Sequence, residues 1–232
     1  MPEVTQVIDL RAIPDSLVTL EALGPVRALA PGHALCLRTR EAPALLMDSL
    51  NLQLRGALAW ESVEQPDGWA TTVRHAGDLP VRDLVDALGR DHRRLDELLA
   101  RALRRLNAAD VPGARALLEP FVEGLRRHVR AENELVAPAL GPGAAHEAEA
   151  TMLHEHEELV AQLGAIEEAL GGPAPEAWEV EPFVALLSGT LAKHEHREET
   201  QLFPIWSARL ETLPAAEGER LHAAVAAALA GR

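Results

Sequence analysis

The chain has 232 residues, 47% apolar and 25% charged, the balance of a soluble globular protein with length for one large or two modest cores. It carries a formal charge of -14, and dividing it before Asp78 leaves 6 basic against 9 acidic residues on one side and 16 against 27 on the other. Neither acidic part offers the basic footprint that nucleic acid or an anionic membrane requires.

One cysteine, Cys36, excludes an internal disulfide framework and fits a reducing compartment. Met1 to Thr5 lacks the basic start and apolar run of a signal peptide, and the apolar stretch Ala223 to Ala230 is too short to span a bilayer. A cytoplasmic location is the expectation. The arginines Arg93, Arg94, Arg101, Arg104, Arg105, Arg126, Arg127 and Arg130 fall among acidic neighbours and read as a solvated helix surface.

Residues 1–77 and 78–232 read as two domains. In the first, Val4 to Leu10 is strand-like, and Pro14-Asp15-Ser16 prepares a helix from Leu17 that should be interrupted or end near Gly24-Pro25. Leu35, Leu37 and Thr39 alternate as in a strand, with Cys36 read as a small buried residue between them. Pro43 to Leu54 is helix-like. Leu58 to Glu64 and Trp69 to Arg74 flank Gln65-Pro66-Asp67-Gly68, a hairpin signal. The order β-α-β-α-β-β makes a two-layer α/β domain.

From Leu79 onward the apolar period is that of helices. Four stripes follow: Val81, Leu84, Leu88, His92, Leu95, Leu99, Ala102, Leu106; then Leu118, Phe121, Leu125, His128, Glu132, Leu135; then Ala145, Ala148, Met152, His156, Leu159, Leu163, Ile166, Leu170; and Phe183, Leu187, Thr190, His194, Glu198, Leu202, Ile205, Ala208. Breaks at Asp110-Val-Pro112-Gly113, Gly141-Pro-Gly143 and Gly171 to Pro175 are short, so the helices should run up-down-up-down as a bundle. A last helix, about Ala216 to Leu229, should pack on the outside.

Parts of this half are duplicated. His128 to Pro138 and His194 to Pro204 each place His and Glu four apart and a Pro ten past the His. Asp91-His92 to Leu98 and Glu155-His156 to Leu163 form a second pair of copies. The offsets are 64 and 66 residues. Each unit therefore supplies three side chains of metal-ligand type, His92, His128 and Glu132 in one and His156, His194 and Glu198 in the other. These polar residues interrupt apolar stripes, and a buried Glu without a partner costs several kcal/mol. A pair of cations would offset that cost. If both glutamates bridge, each ion receives two imidazoles and two carboxylate oxygens, and a bridging oxide or hydroxide leaves roughly one coordination position open per ion. Mixed N/O ligands without thiolate suit iron first, then manganese or zinc. His154 and His196 stand two residues from His156 and His194, which turns them roughly 200° away on a helix. His33, His75, His146 and His222 read as loop, strand-end or helix-end histidines.

At these residues, about 79 to 212, the chain resembles the hemerythrin-like (HHE cation-binding) family. The cues are Asp91-His92 with Leu95-Asp96, the two His-x-x-x-Glu segments, Glu155-His156-Glu-Glu-Leu159 and Leu202-Phe203-Pro204. The resemblance implies a four-helix bundle with a non-haem di-iron centre held by His92, His128, Glu132, His156, His194 and Glu198, the two Glu as bridges. The ligand order is similar to that of the Repair of Iron Centres proteins, which implies iron–sulfur repair after nitrosative or oxidative damage and an iron–sulfur protein as partner. Oxygen-carrying hemerythrins have a His where Met152 stands, which argues against reversible oxygen carriage. Residues 3 to 75 resemble an uncharacterised α/β family distantly similar to TusA-type sulfur carriers, through Ile8-Asp-Leu-Arg11, Leu29-Ala-Pro-Gly32 and Trp60 with Asp67-Gly68-Trp69. The turn that holds a thiol in those carriers is Arg11-Ala-Ile-Pro14 here, without cysteine.

Three functions follow from the ligand set. One is a di-iron redox protein that binds or reduces O2, NO or peroxide. Another is a gas-, redox- or iron-sensing module without turnover. The last is iron storage or donation.

Overall fold

The computed structural model describes residues 4–54, 57–141 and 146–231, which divide into two compact units, Met1–Pro80 and Val81–Arg232. In the first unit, β1 (Val4–Asp9), α1 (Asp15–Arg27), β2 (Ala34–Thr39), α2 (Ala44–Gln53), β3 (Leu58–Gln65) and β4 (Gly68–His75) follow the order expected from the sequence. The sheet runs β1-β2-β4-β3, with β1 parallel to β2 and the other neighbours antiparallel. Alternation along β2 turns Leu35 and Leu37 toward Ala22 and Val26 of α1 and Met47 and Leu50 of α2. Cys36 points to the opposite face and is half-buried, not the buried residue that the sequence predicts. The hairpin needs Gly68, since its φ is 133° and a side chain there would sit 2.2 Å from the Thr39 carbonyl oxygen.

The expected interruption or end at Gly24-Pro25 does not occur there. Pro25 lies in the last turn of α1, where its missing N–H costs a single helix bond, and Ala28 and Leu29 close the helix on the carbonyls of Gly24 and Val26.

The second unit is helical. Its long elements are α3 (Leu84–Asn107), α4 (Val111–Ala131), α6 (His146–Leu170) and α7 (Ala177–Arg197), with α5 (Ala137–Leu140), α8 (Phe203–Leu210) and α9 (Ala215–Leu229) as shorter pieces. Asp83 and Asp110 cap α3 and α4 by accepting the N–H groups of Asp86 and Gly113. A reciprocal Glu176–Glu179 capping box starts α7. The end of α3 is a Schellman turn, in which Asp110 N–H reaches Arg105 and Ala109 N–H reaches Leu106. The break at Gly141-Pro-Gly143 falls largely outside the described residues, as does Ala145.

Two apolar clusters stack along the bundle. One gathers Leu95, Leu99, Leu118, Phe121, Leu125, Leu159, Leu163, Ile166, Val184 and Leu187. The other gathers Leu84, Leu88, Val136, Leu140, Met152, Leu202, Trp206 and Val225, so α9 closes that end. On each long helix the histidines lie between residues of the two clusters, a polar layer between two oily ones.

Five stripe positions differ from the sequence reading. Val81 and Phe183 are exposed, and Val180, Val184 and Leu191 take the inward places on α7. Leu135 and Ile205 are only half-buried and Ala208 is exposed, while Val136 and Trp206 are buried. For Leu135, Ile205 and Ala208 the cause is the same in both copies. The helix widens to a π-turn over Glu132–Val136 and again over Glu198–Leu202, and the extra residue advances the inward face by one.

Candidate metal centre

Each π-turn starts at one of the two buried glutamates. Ala137 N–H bonds back to the Glu132 carbonyl and Phe203 N–H to that of Glu198, each across five residues. The next residue in each copy is Pro138 or Pro204. Proline has no N–H to give the preceding turn, so widening that turn forfeits less than it would elsewhere. The duplicated glutamate and the duplicated proline thus flank the same widened turn in both copies.

The six residues singled out from the sequence meet in the described structure. His92 from α3, His128 from α4, His156 from α6 and His194 from α7 are each at most 3% exposed, and Glu132 and Glu198 are 0% and 1%. His92 Nε2 lies 3.3 Å from Glu198 Oε2, and His128 Nε2 3.3 Å from Glu132 Oε1. His156 Nε2 is 3.3 Å from Glu132 Oε2, and His194 Nε2 is 3.1 Å from Glu198 Oε1. Each carboxylate therefore turns one oxygen toward the His92–His128 pair and the other toward the His156–His194 pair. The result is two groups of four buried donors, each with two imidazoles, that share both glutamates and could each hold an ion.

The outer ring nitrogens fix which way the imidazoles point. His128 Nδ1 donates to Asp91 at 3.0 Å and His194 Nδ1 to Glu155 at 3.1 Å. His92 Nδ1 donates to Glu199 at 3.2 Å and His156 Nδ1 to Asn133 at 2.6 Å. With the proton committed at every Nδ1, all four Nε2 lone pairs face inward, the tautomer of a metal-ligating imidazole. The Nε2 atoms approach each other to 3.0 Å in one pair and 3.1 Å in the other. Four inward lone pairs around two carboxylates repel unless protons or cations lie among them.

The structure shows that demand directly. None of the four oxygens of Glu132 and Glu198 receives a hydrogen bond. The histidine contacts to them have ion-pair distances without hydrogen-bond alignment. In the metal-free protein, protons are the available compensation. Burial opposes charging His128 and His156, but Glu132 with Asp91 in the first case, and Glu132 with Glu198 in the second, push both up to about 9. His92 is likewise raised well above its ordinary value, burial being overridden by Glu198 and Glu199. Burial would raise Glu198, yet His156, His194 and His92 hold it well below the carboxylate range.

Asp91, Asn133, Glu155 and Glu199 were not singled out from the sequence as partners of the histidines. Their signal was present: each stands beside a ligand candidate, and the offsets of 64 and 66 map Asp91 onto Glu155 and Asn133 onto Glu199. Arg94 and Arg197 hold Asp91 and Glu155 in turn, so Arg94 is not merely a solvated charge. His154 is exposed beside Glu157 and Glu158, and His196 is exposed. His33, His75 and His222 join neither group, and His222 lies inside α9, not at an end.

A model of the family described as Hemerythrin HHE cation binding domain matches residues 83–206, just over half the chain. No curated protein and no solved structure matches it.

Proposed function

The chain belongs to the hemerythrin family of HHE cation-binding domains, and on that premise we propose that His92, His128, Glu132, His156, His194 and Glu198 hold two metal ions, with iron preferred. Four buried carboxylate oxygens that receive no hydrogen bond, enclosed by four inward-facing imidazoles, support this reading most strongly. The donor set contains no thiolate and offers each ion two imidazole nitrogens and two carboxylate oxygens, which suits iron ahead of manganese or zinc. Four protein donors fall short of the coordination number that iron commonly takes, so coordination positions would remain for a small molecule.

We propose O2, NO or peroxide as that molecule, bound or reduced in a setting of stress defence or iron–sulfur repair. A bound iron pair supplies one-electron redox chemistry and Lewis acidity. The chain's own residues do the rest. Asp91, Glu155, Asn133 and Glu199 fix the ring orientations, and the apolar clusters on either side of the polar layer exclude water and bulky substrates. The ring of Phe203 stacks on His92 at 5.5 Å between centroids and closes one side of the layer. Met152, buried one turn before His156, puts a thioether and not an imidazole at that inward position.

Stopped-flow mixing of the diferrous protein with O2 or NO tests the reading. An optical change on the timescale of seconds or faster is expected, and a spectrum that stays constant would oppose it.

A further inference from the structure

We propose that the two halves of the centre are unequal, the His92–His128 half taking the first divalent ion and holding it more tightly than the His156–His194 half. The inference rests on the two-metal reading above. It comes from a difference between the repeats that the duplication otherwise obscures.

Three of the four pairings around the imidazoles end on a carboxylate. Asp91 and Glu155 occupy matched places, each on the histidine of the following helix, and each is held by an arginine, Arg94 or Arg197. Those two pairings cancel between the halves. The remaining two do not. His92 gives its Nδ1 proton to the Glu199 carboxylate, whereas His156 gives its own to the neutral Asn133 amide oxygen. Charge thus separates the halves, two carboxylates standing behind one pair of imidazoles and one behind the other.

An imidazole whose outer N–H faces a carboxylate is the more basic donor, and the added negative charge favours a cation a few ångströms away. Two features moderate the difference. The Glu199 side chain is 48% exposed and so screened by water, and Arg93 lies within its field. Changing such an outer partner typically alters metal affinity by about 10- to 100-fold, and this screening places the expected ratio near the lower end, about tenfold.

Zn2+ binding to the anaerobic, metal-free full-length chain, followed by calorimetry in competition with a chelator, tests the inference independently of any activity. Two ions per chain in two separable steps are expected. Mutual repulsion of two cations could also separate the steps, so the variants decide. Glu199→Gln should weaken the tighter step by about tenfold and bring the two together, and Asn133→Asp should strengthen the weaker step by a similar factor. Circular dichroism confirms that both variants are folded. Equal steps in the unaltered chain, or a Glu199→Gln protein whose tighter step is unchanged, would overturn the inequality. Uptake of fewer than two ions by the unaltered chain would instead overturn the two-metal reading itself.

Discussion

Glu132 and Glu198 are where this chain departs furthest from ordinary core chemistry. A fully buried carboxylate is costly, and these two face each other's charge as well. Their protons, in the metal-free state, reside on histidine. His128 and His156 titrate near 6.5 when unfolded and at about 9 when folded, so the stability they contribute is complete below about 6.5 and lost as pH rises through about 9. Thermal unfolding of the metal-free chain should therefore fall in midpoint from neutral pH to above 9. The Zn2+-loaded chain should not show that loss, because the metal replaces those protons, and its affinity should rise over the same range. Equal pH dependence of the two forms would count against protons and metal competing for one site. The six central residues were legible in the sequence because polar groups at helical spacing stood in apolar stripes twice over. Their outer partners were less visible, since Asp91, Asn133, Glu155 and Glu199 resemble the many other polar residues of these helices until their direction is known.

Among the elements, the two π-turns were hidden from a reading that assumed a constant period of 3.6. The proline ten residues past each histidine marked them, yet nothing in the composition says whether a proline will break, kink or widen a helix. Phe183 misled for another reason: a large apolar residue on the second turn of α7 lies at the edge of the stripe, and the smaller Val180 and Val184 fill the interior. The α3–α4 corner gives a local test of how the bundle is punctuated. Ala109 adopts a φ of 57°, the left-handed conformation that glycine occupies without penalty. Ala109→Gly should stabilise the protein by about 0.5–1 kcal/mol, the relief of that conformation being offset partly by the freer unfolded chain. Asp110→Ala should cost about 1 kcal/mol by removing the cap on Gly113 N–H and the contact with Arg105. Urea unfolding curves would show both, and a destabilised Ala109→Gly protein would contradict the Schellman assignment.

At the scale of the whole molecule, the order of elements, the hairpin and the bundle followed from periodicity and turn residues, which act locally. No helix among the described residues is long and apolar enough to cross a membrane. The internal duplication does most to organise the second unit: two copies of a helix pair, neither able to satisfy its own buried glutamate, complete one another's donor sets across the bundle. Each glutamate serves the histidines of both copies, so the site belongs to the pair and to neither repeat alone. Metal analysis of the chain purified without oxygen, alongside Glu132→Ala, Glu198→Ala, His154→Ala and His196→Ala, tests that most directly. Two ions per chain are expected in the unaltered protein and in the two exposed-histidine variants, with fewer than two in either glutamate variant. Two ions retained after loss of Glu132 or Glu198, or metal stripped by His154→Ala or His196→Ala, would contradict it.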